Sequence, residues 1–163
     1  MKILYLVRHA KSSWRDSALD DIERPLNKRG KRDAPFMGEL LKEKVVNPDV
    51  VFSSPAKRAS KTAQIIVEQI GYSKKNIIYS EEIYEASSHE LVEFIKKIDD
   101  KYNSVMVFGH NPGFTMLNNF LSKKYIDNIP TCGIVALEFN SSWKEIEKNS
   151  AKMLFFDYPK RYM

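Results

Sequence analysis

Short apolar runs alternate with longer amphipathic ones along the chain, and this alternation sets the first expectations. The run Ile3-Leu4-Tyr5-Leu6-Val7 between Lys2 and Arg8 predicts a buried strand over 2–8. Positions 28–44 predict a helix with Leu40 and Leu41 on its apolar face and charges opposite. Asp49-Val50-Val51-Phe52-Ser53 predicts a second strand, and Pro55 to Ile70 a second helix. Asn76 to Tyr79 predicts a short strand, and Ser88 to Lys101 a third helix with Leu91, Val92, Ile95 and Ile98 at helical spacing. A strand over Ser104–Phe108 and a helix from Pro112 to Leu121 follow. Two closing strands are predicted at 133–139 and 151–157, joined by a polar turn from Asn140 to Lys148.

This order predicts an α/β fold, a three-layer α/β/α sandwich on a mostly parallel sheet. No repeat, low-complexity stretch or linker divides the chain, so 1–163 is read as a single domain. Sites in such sheets form beyond the carboxyl ends of the strands. Arg8-His9, Ser53-Ser54 and Gly109-His110 each follow a predicted strand immediately, so three separate segments bring polar residues to one sheet edge.

Composition narrows the setting. The lone cysteine, Cys132, excludes an internal disulfide framework and points to a reducing compartment. No apolar stretch has the length of a membrane span and the N-terminus lacks a signal-peptide pattern, so a cytoplasmic protein without a membrane partner is expected. The net charge of +5 is spread among acidic residues rather than gathered in one block, which reads as a solvated surface and not as a nucleic-acid partner. It also suits a phosphorylated substrate. The oligomeric state is left open, a monomer being compatible.

The three edge segments carry the candidate chemistry. In Arg8-His9-Ala10-Lys11-Ser12-Ser13-Trp14, a rigid strand supports His9, and Arg8 can fork onto phosphate oxygens. A lone Arg-His pair reads first as structural or exposed. In Ser53-Ser54-Pro55-Ala56-Lys57-Arg58, a serine before proline signals a helix start and places Arg58 one turn in, near a terminus that favours anions. A surface arginine on a capped helix is the plainer alternative. In Gly109-His110-Asn111-Pro112-Gly113, a tight strand-to-helix turn aims an imidazole, or merely packs one. Together, two histidines and two arginines at one edge describe a cationic pocket of phosphoryl size. No Cys/His spacing or acidic cluster suggests a metal, and no cofactor is implied.

Arg8-His9-Ala10, Ser53-Ser54-Pro55 with Arg58-Ala59 and Thr62-Ala63, and Gly109-His110 resemble the histidine phosphatase (phosphoglycerate mutase-like) superfamily. With Arg24-Pro25-Leu26-Asn27 and the short length, the chain looks most like its SixA-type phosphohistidine phosphatase branch. The resemblance implies that His9 attacks phosphorus, that Arg8 and Arg58 clamp the phosphoryl oxygens, and that His110, protonated, faces them. It implies a metal-independent phosphatase acting on phosphohistidine in a protein, with a small phosphate ester as the alternative substrate. A non-catalytic phosphate-binding signalling module is the alternative from another class. Ser12 matches a substrate-contact serine of the mutases, whereas Arg15 stands where they carry asparagine, which argues against mutase activity. Arg24 and Asn111 are the further candidate substrate contacts, Arg24 because Asp21 and Pro25 suggest an ordered loop; with Lys28 and Arg29 it either lines the pocket mouth or is solvated. Glu85 falls where larger relatives carry a general acid, with Glu81 and Glu82 close by, and a surface carboxylate is the alternative for all three. A phosphohistidine substrate needs such an acid least, because imidazole leaves more readily than an alkoxide. His89 is read as exposed, Trp14 as packed under the nucleophile loop, and Tyr158–Tyr162 as a tail.

Overall fold

Strand β1 (Lys2–Arg8) sends alternate side chains into two separate hydrophobic cores in the computed structural model, which describes residues 1–163. Leu4 and Leu6 enter one core, Tyr5 and Val7 the other. Burial of both faces is why this strand reads as a continuous apolar run rather than an alternating one. Strand β4 (Ser104–Gly109) does the same, with Val105 and Val107 on one side and Met106 and Phe108 on the other.

With β2 (Val50–Ser53), β3 (Ile78–Tyr79), β5 (Ile134–Phe139) and β6 (Ala151–Asp157), these strands form a six-stranded sheet ordered β3-β2-β4-β1-β5-β6. The first four in that order are mutually parallel; β5 runs antiparallel to β1, and β6 antiparallel to β5. Helices α1 (Lys28–Glu43) and α2 (Lys57–Gln69) cover one face through Met37, Leu41, Ile66 and Val67. Helices α3 (Ser88–Lys96) and α4 (Gly113–Leu121) cover the other through Leu91, Ile95, Phe114 and Leu117. The predicted three-layer sandwich is therefore the observed one. Register pairs Arg8 with Gly109 and Ser53 with Phe108, so β1, β2 and β4 end level and present their following residues together.

The element limits differ from the expectations where side chains compete with the helix ladder. Helix α3 stops at Lys96 rather than Lys101, because Lys97 and Ile98 bond back to Phe94 and Ile95 and the Asp99 carboxylate accepts from Lys101 N at 2.9 Å. Helix α2 begins at Lys57, not Pro55, and the Ser54 side chain accepts from Ala56 N outside the helix. Lys74–Asn76 form a 3-10 turn, which leaves β3 only two residues. The supposedly polar turn between β5 and β6 holds a 3-10 turn, Trp143–Glu145. Trp143 is fully buried there and its indole N–H donates to Tyr102 O at 2.7 Å. The C-terminal residues are anchored too, since Arg161 and the Tyr162 hydroxyl both donate to Asp157 Oδ1 at 2.8 Å. No helix is long and apolar enough to cross a membrane.

Candidate active site

His9 sits directly beyond β1. Its backbone N–H donates to Gly109 O and its carbonyl accepts from Cys132 N, each at 3.0 Å. The next residue is fixed as well: Ala10 N donates to Thr62 Oγ1 at 2.9 Å, and the Thr62 hydroxyl donates to Arg58 O at 2.7 Å. Thr62 thus ties the His9 loop to the first turn of α2. The His9 ring is only 7% exposed, and Nδ1 lies 2.8 Å from Ala10 O. A carbonyl only accepts, so Nδ1 carries the proton and the neutral ring keeps its lone pair on Nε2.

His110 follows β4, with its ring centroid 5.2 Å from that of His9. Its Nε2 lies 2.8 Å from Ser54 Oγ, and its buried Nδ1 has no hydrogen-bond partner. Because Ser54 Oγ already accepts from Ala56 N, its own hydroxyl proton is free to go to Nε2. When the Ser54 hydroxyl donates to Nε2, the neutral His110 ring bears its proton on Nδ1. Gly109 makes this placement possible: a Cβ there would stand 2.5 Å from the Phe114 ring.

Both imidazoles are held neutral. Burial, with His110, Arg58 and Arg8 adding to it, pushes His9 down to about 3 against the opposing bond to Ala10 O. Burial followed by Arg58 pushes His110 down to about 4, with Arg8 adding and Asp21 opposing. Desolvation and two neighbouring guanidinium groups favour the neutral His110 ring, against the protonated one that the resemblance implies.

The cleft above these rings encloses about 240 Å³ and has ten lining residues. They include His9, His110 and four cations, Arg8, Lys11, Arg24 and Arg58, and no carboxylate. Arg8 donates to Ile129 O at 2.8 Å, and its buried Nε has no partner. Arg58 is held from behind by Asp21, donating to its carbonyl at 2.7 Å and to Oδ2 at 2.9 Å. Arg24 donates to Asp21 Oδ1 at 2.9 Å, to Ser13 O at 3.1 Å and to the Ser12 hydroxyl oxygen. The Tyr84 hydroxyl completes the set, donating to Asp21 Oδ2 at 2.5 Å. Tyr84, Arg24 and Arg58 together hold the Asp21 carboxyl well below the usual carboxylate range.

The structure brings His9, Arg8, Arg58, His110, Ser12, Arg24 and Asn111 to one cleft. Asn111, however, has its amide fully engaged. It donates to Asn128 Oδ1 and Ile129 O, and its Oδ1 accepts from the Thr115 N–H and hydroxyl. It is a wall that fixes the start of α4. Glu85 does not line the cleft; it is exposed in a neighbouring depression bordered by His110 and Asn111. Trp14 is not packed under the loop, as expected, but 74% exposed at the rim, with the Arg24 guanidinium 3.2 Å above its ring centre. Cation–π attraction to Arg24 holds it there. Sequence reasoning missed Lys11, Ser54, Thr62 and Tyr84 as parts of the site, and used Asp21 only as a sign of loop order. No group of three or more His, Cys, Asp or Glu side chains is arranged to hold a metal ion.

Residues 4–103 match the histidine phosphatase superfamily (branch 1). An uncharacterized chloroplastic protein of Arabidopsis thaliana is 32% identical over 151 residues, covering 87% of this chain and 69% of its own. A structure from Agrobacterium tumefaciens, provisionally named phosphohistidine phosphatase SixA, superposes with a TM-score of 0.80 at 27% identity, covering 97% of this chain and 98% of that one. The protein histidine phosphatase SixA complexed with tungstate shares the fold, with a TM-score of 0.85 at 18% identity over 99% of both chains.

Proposed function

Because the chain belongs to the histidine phosphatase superfamily (branch 1), we propose that His9 is its phosphoryl-accepting nucleophile and that its substrate is phosphohistidine on a protein. The observation that carries the reading is the cleft itself: two neutral imidazoles and four cations, with no carboxylate among the ten lining residues. In the first step His9 Nε2 forms a bond to phosphorus as the bond to the substrate imidazole nitrogen breaks. The electron pair leaves on that nitrogen, which takes a proton from solvent. In the second step water attacks phosphorus, the N–P bond breaks, and its pair returns to His9 Nε2. The displaced water proton goes to solvent and inorganic phosphate departs.

The remaining groups stabilise charge on the transferring group. Arg8, Arg58 and the His110 imidazole face its equatorial oxygens and stabilise their charge, the main electrostatic requirement of such a transfer. A neutral His110 suffices for that, and an arriving dianion raises the proton affinity of both rings. The leaving group decides the substrate class. An alkoxide leaving group needs a general acid, and the nearby carboxyls are unsuited to the role. Asp21 is held ionised by Tyr84, Arg24 and Arg58, and Glu85 is a solvent-exposed carboxylate in the depression that adjoins the cleft at His110 and Asn111. Imidazole needs that help far less.

The test compares kcat/KM for a phosphohistidine peptide with that for a sugar phosphate and a phosphoglycerate, all with EDTA present. The peptide is expected to lead by about 10²-fold or more, the usual worth of general-acid help. A preference for either ester, or loss of all turnover in EDTA, overturns the reading.

A further inference from the structure

Next to the catalytic cleft runs a second concavity, a groove of about 920 Å³ between the Ser13–Arg15 loop and the first turn of α1. Its eight lining residues include Arg15, Lys28, Arg29 and Lys31 and no carboxylate. Only Arg29 has an acidic partner, Asp33 at 3.4 Å; Arg15, Lys28 and Lys31 form no ion pair. The groove joins the cleft across one turn of chain: Ser13 and Pro25 line the groove while Ser12, Trp14 and Arg24 line the cleft.

We propose that this groove binds an acidic stretch of the phosphorylated protein while the phosphoryl group occupies the cleft. The proposal rests on the reading of the substrate as a phosphoprotein. Four observations support it. Three unpaired cations, Arg15 on the loop and Lys28 and Lys31 on α1, form a field that an anionic segment neutralises, and such fields govern encounter and specificity. The wall is also fixed in advance. Ser12 and Leu26 form a bridge, Ser13 N donates to Pro25 O at 2.8 Å and Asn27 N to Lys11 O at 2.9 Å. Gly30 lies so close to the Lys11 backbone that a Cβ would stand 2.2 Å from its carbonyl oxygen. The groove opens on the N-terminal end of a 16-residue helix, where carboxylates are favoured. Across the cleft the charge reverses, with Glu85 and Glu90 bordering the depression shared with His110 and Asn111. Acidic residues are therefore accepted on one side of the phosphorylated residue and repelled on the other. No aromatic ring lines the groove, which favours a peptide over single-stranded nucleic acid, whose bases seek stacking platforms.

The experiment uses phosphohistidine peptides with acidic or neutral flanks, and p-nitrophenyl phosphate as a substrate too small to reach the groove. It compares wild type with the double variant Lys28→Glu/Lys31→Glu, in which both exchanges fall at exposed positions of the first helical turn. Wild type is expected to prefer the acidic peptide by about tenfold in kcat/KM at low salt, the preference fading as salt screens it. The double variant should lose the preference while turning over p-nitrophenyl phosphate within about twofold of wild type. A wild type that ignores the flank, or a double variant that keeps the preference, overturns the proposal. If wild type hydrolyses p-nitrophenyl phosphate but no phosphohistidine peptide, the substrate reading fails separately. The groove is then judged by binding: a fluorescently labelled unphosphorylated acidic peptide must bind wild type in an anisotropy titration and not the double variant. A single-stranded oligonucleotide that competes better than that peptide also overturns it.

Discussion

The floor and the rim of the cleft are built by different means. The floor, His9 and His110, is placed by backbone: both residues leave adjacent parallel strands at matched register, and His9 N bonds Gly109 O directly. The rim, Arg24, Arg58 and Trp14, is placed by side chains. One carboxylate, Asp21, joins Arg58, Arg24 and Tyr84 from three separate segments. A floor set by the sheet tolerates little change and is dry enough to neutralise both imidazoles. A rim set by ion pairs can be loosened one contact at a time.

The largest effects are expected at the floor. The unfolded chain binds the protons that the buried imidazoles refuse, so stability falls as pH drops from about 6.5 toward the folded values of about 3 and about 4. Between pH 7 and 5 the two rings together account for a loss of about 3–4 kcal/mol. Urea unfolding at the two pH values measures it, and His110→Asn should remove about half; an unchanged loss in that variant contradicts the assignment. Next, Arg58→Ala removes both the proposed phosphoryl donor and one of the rim's two arginine links to Asp21. It is expected to lower kcat by about 10²–10³-fold, as loss of an oxyanion donor does.

At the rim the effects shrink. Asp21→Asn leaves Arg24 and Arg58 in the cleft but loosens them, with an expected loss in kcat/KM of about tenfold, read from steady-state kinetics. Asp21→Glu should recover part of it, and no loss in the Asn variant would show that the arginines position themselves. Trp14→Ala, which frees one face of Arg24, should change KM by only about two- to fivefold, consistent with an exposed cation–π contact. A larger effect on kcat than on KM would place Trp14 in the floor's machinery instead.

The same division explains what the sequence made legible. Strand ends mark the floor, so Arg8, His9 and His110 were readable from the apolar runs that precede them, and Arg58 from the helix start after β2. The three layers followed from the same alternation. The rim depends on bonds between distant residues: Arg58 meets Asp21 37 positions away, and Tyr84 meets it 63 positions away. No local pattern announces such pairs. Glu85 is the residue the sequence offers in that segment; the Tyr84 phenol beside it is the group that reaches the site. A serine before proline, as at Ser54, signals only a helix start, and the contact of Ser54 with His110 depends on β2 and β4 lying side by side.

In the proposed mechanism His9 carries the phosphoryl group. Intact-mass measurement after rapid denaturation at alkaline pH, where a phosphohistidine survives, tests it most directly. Wild type mixed with substrate should gain the mass of one phosphoryl group, and His9→Ala should gain none. An adduct of the same size that persists in His9→Ala would contradict the account.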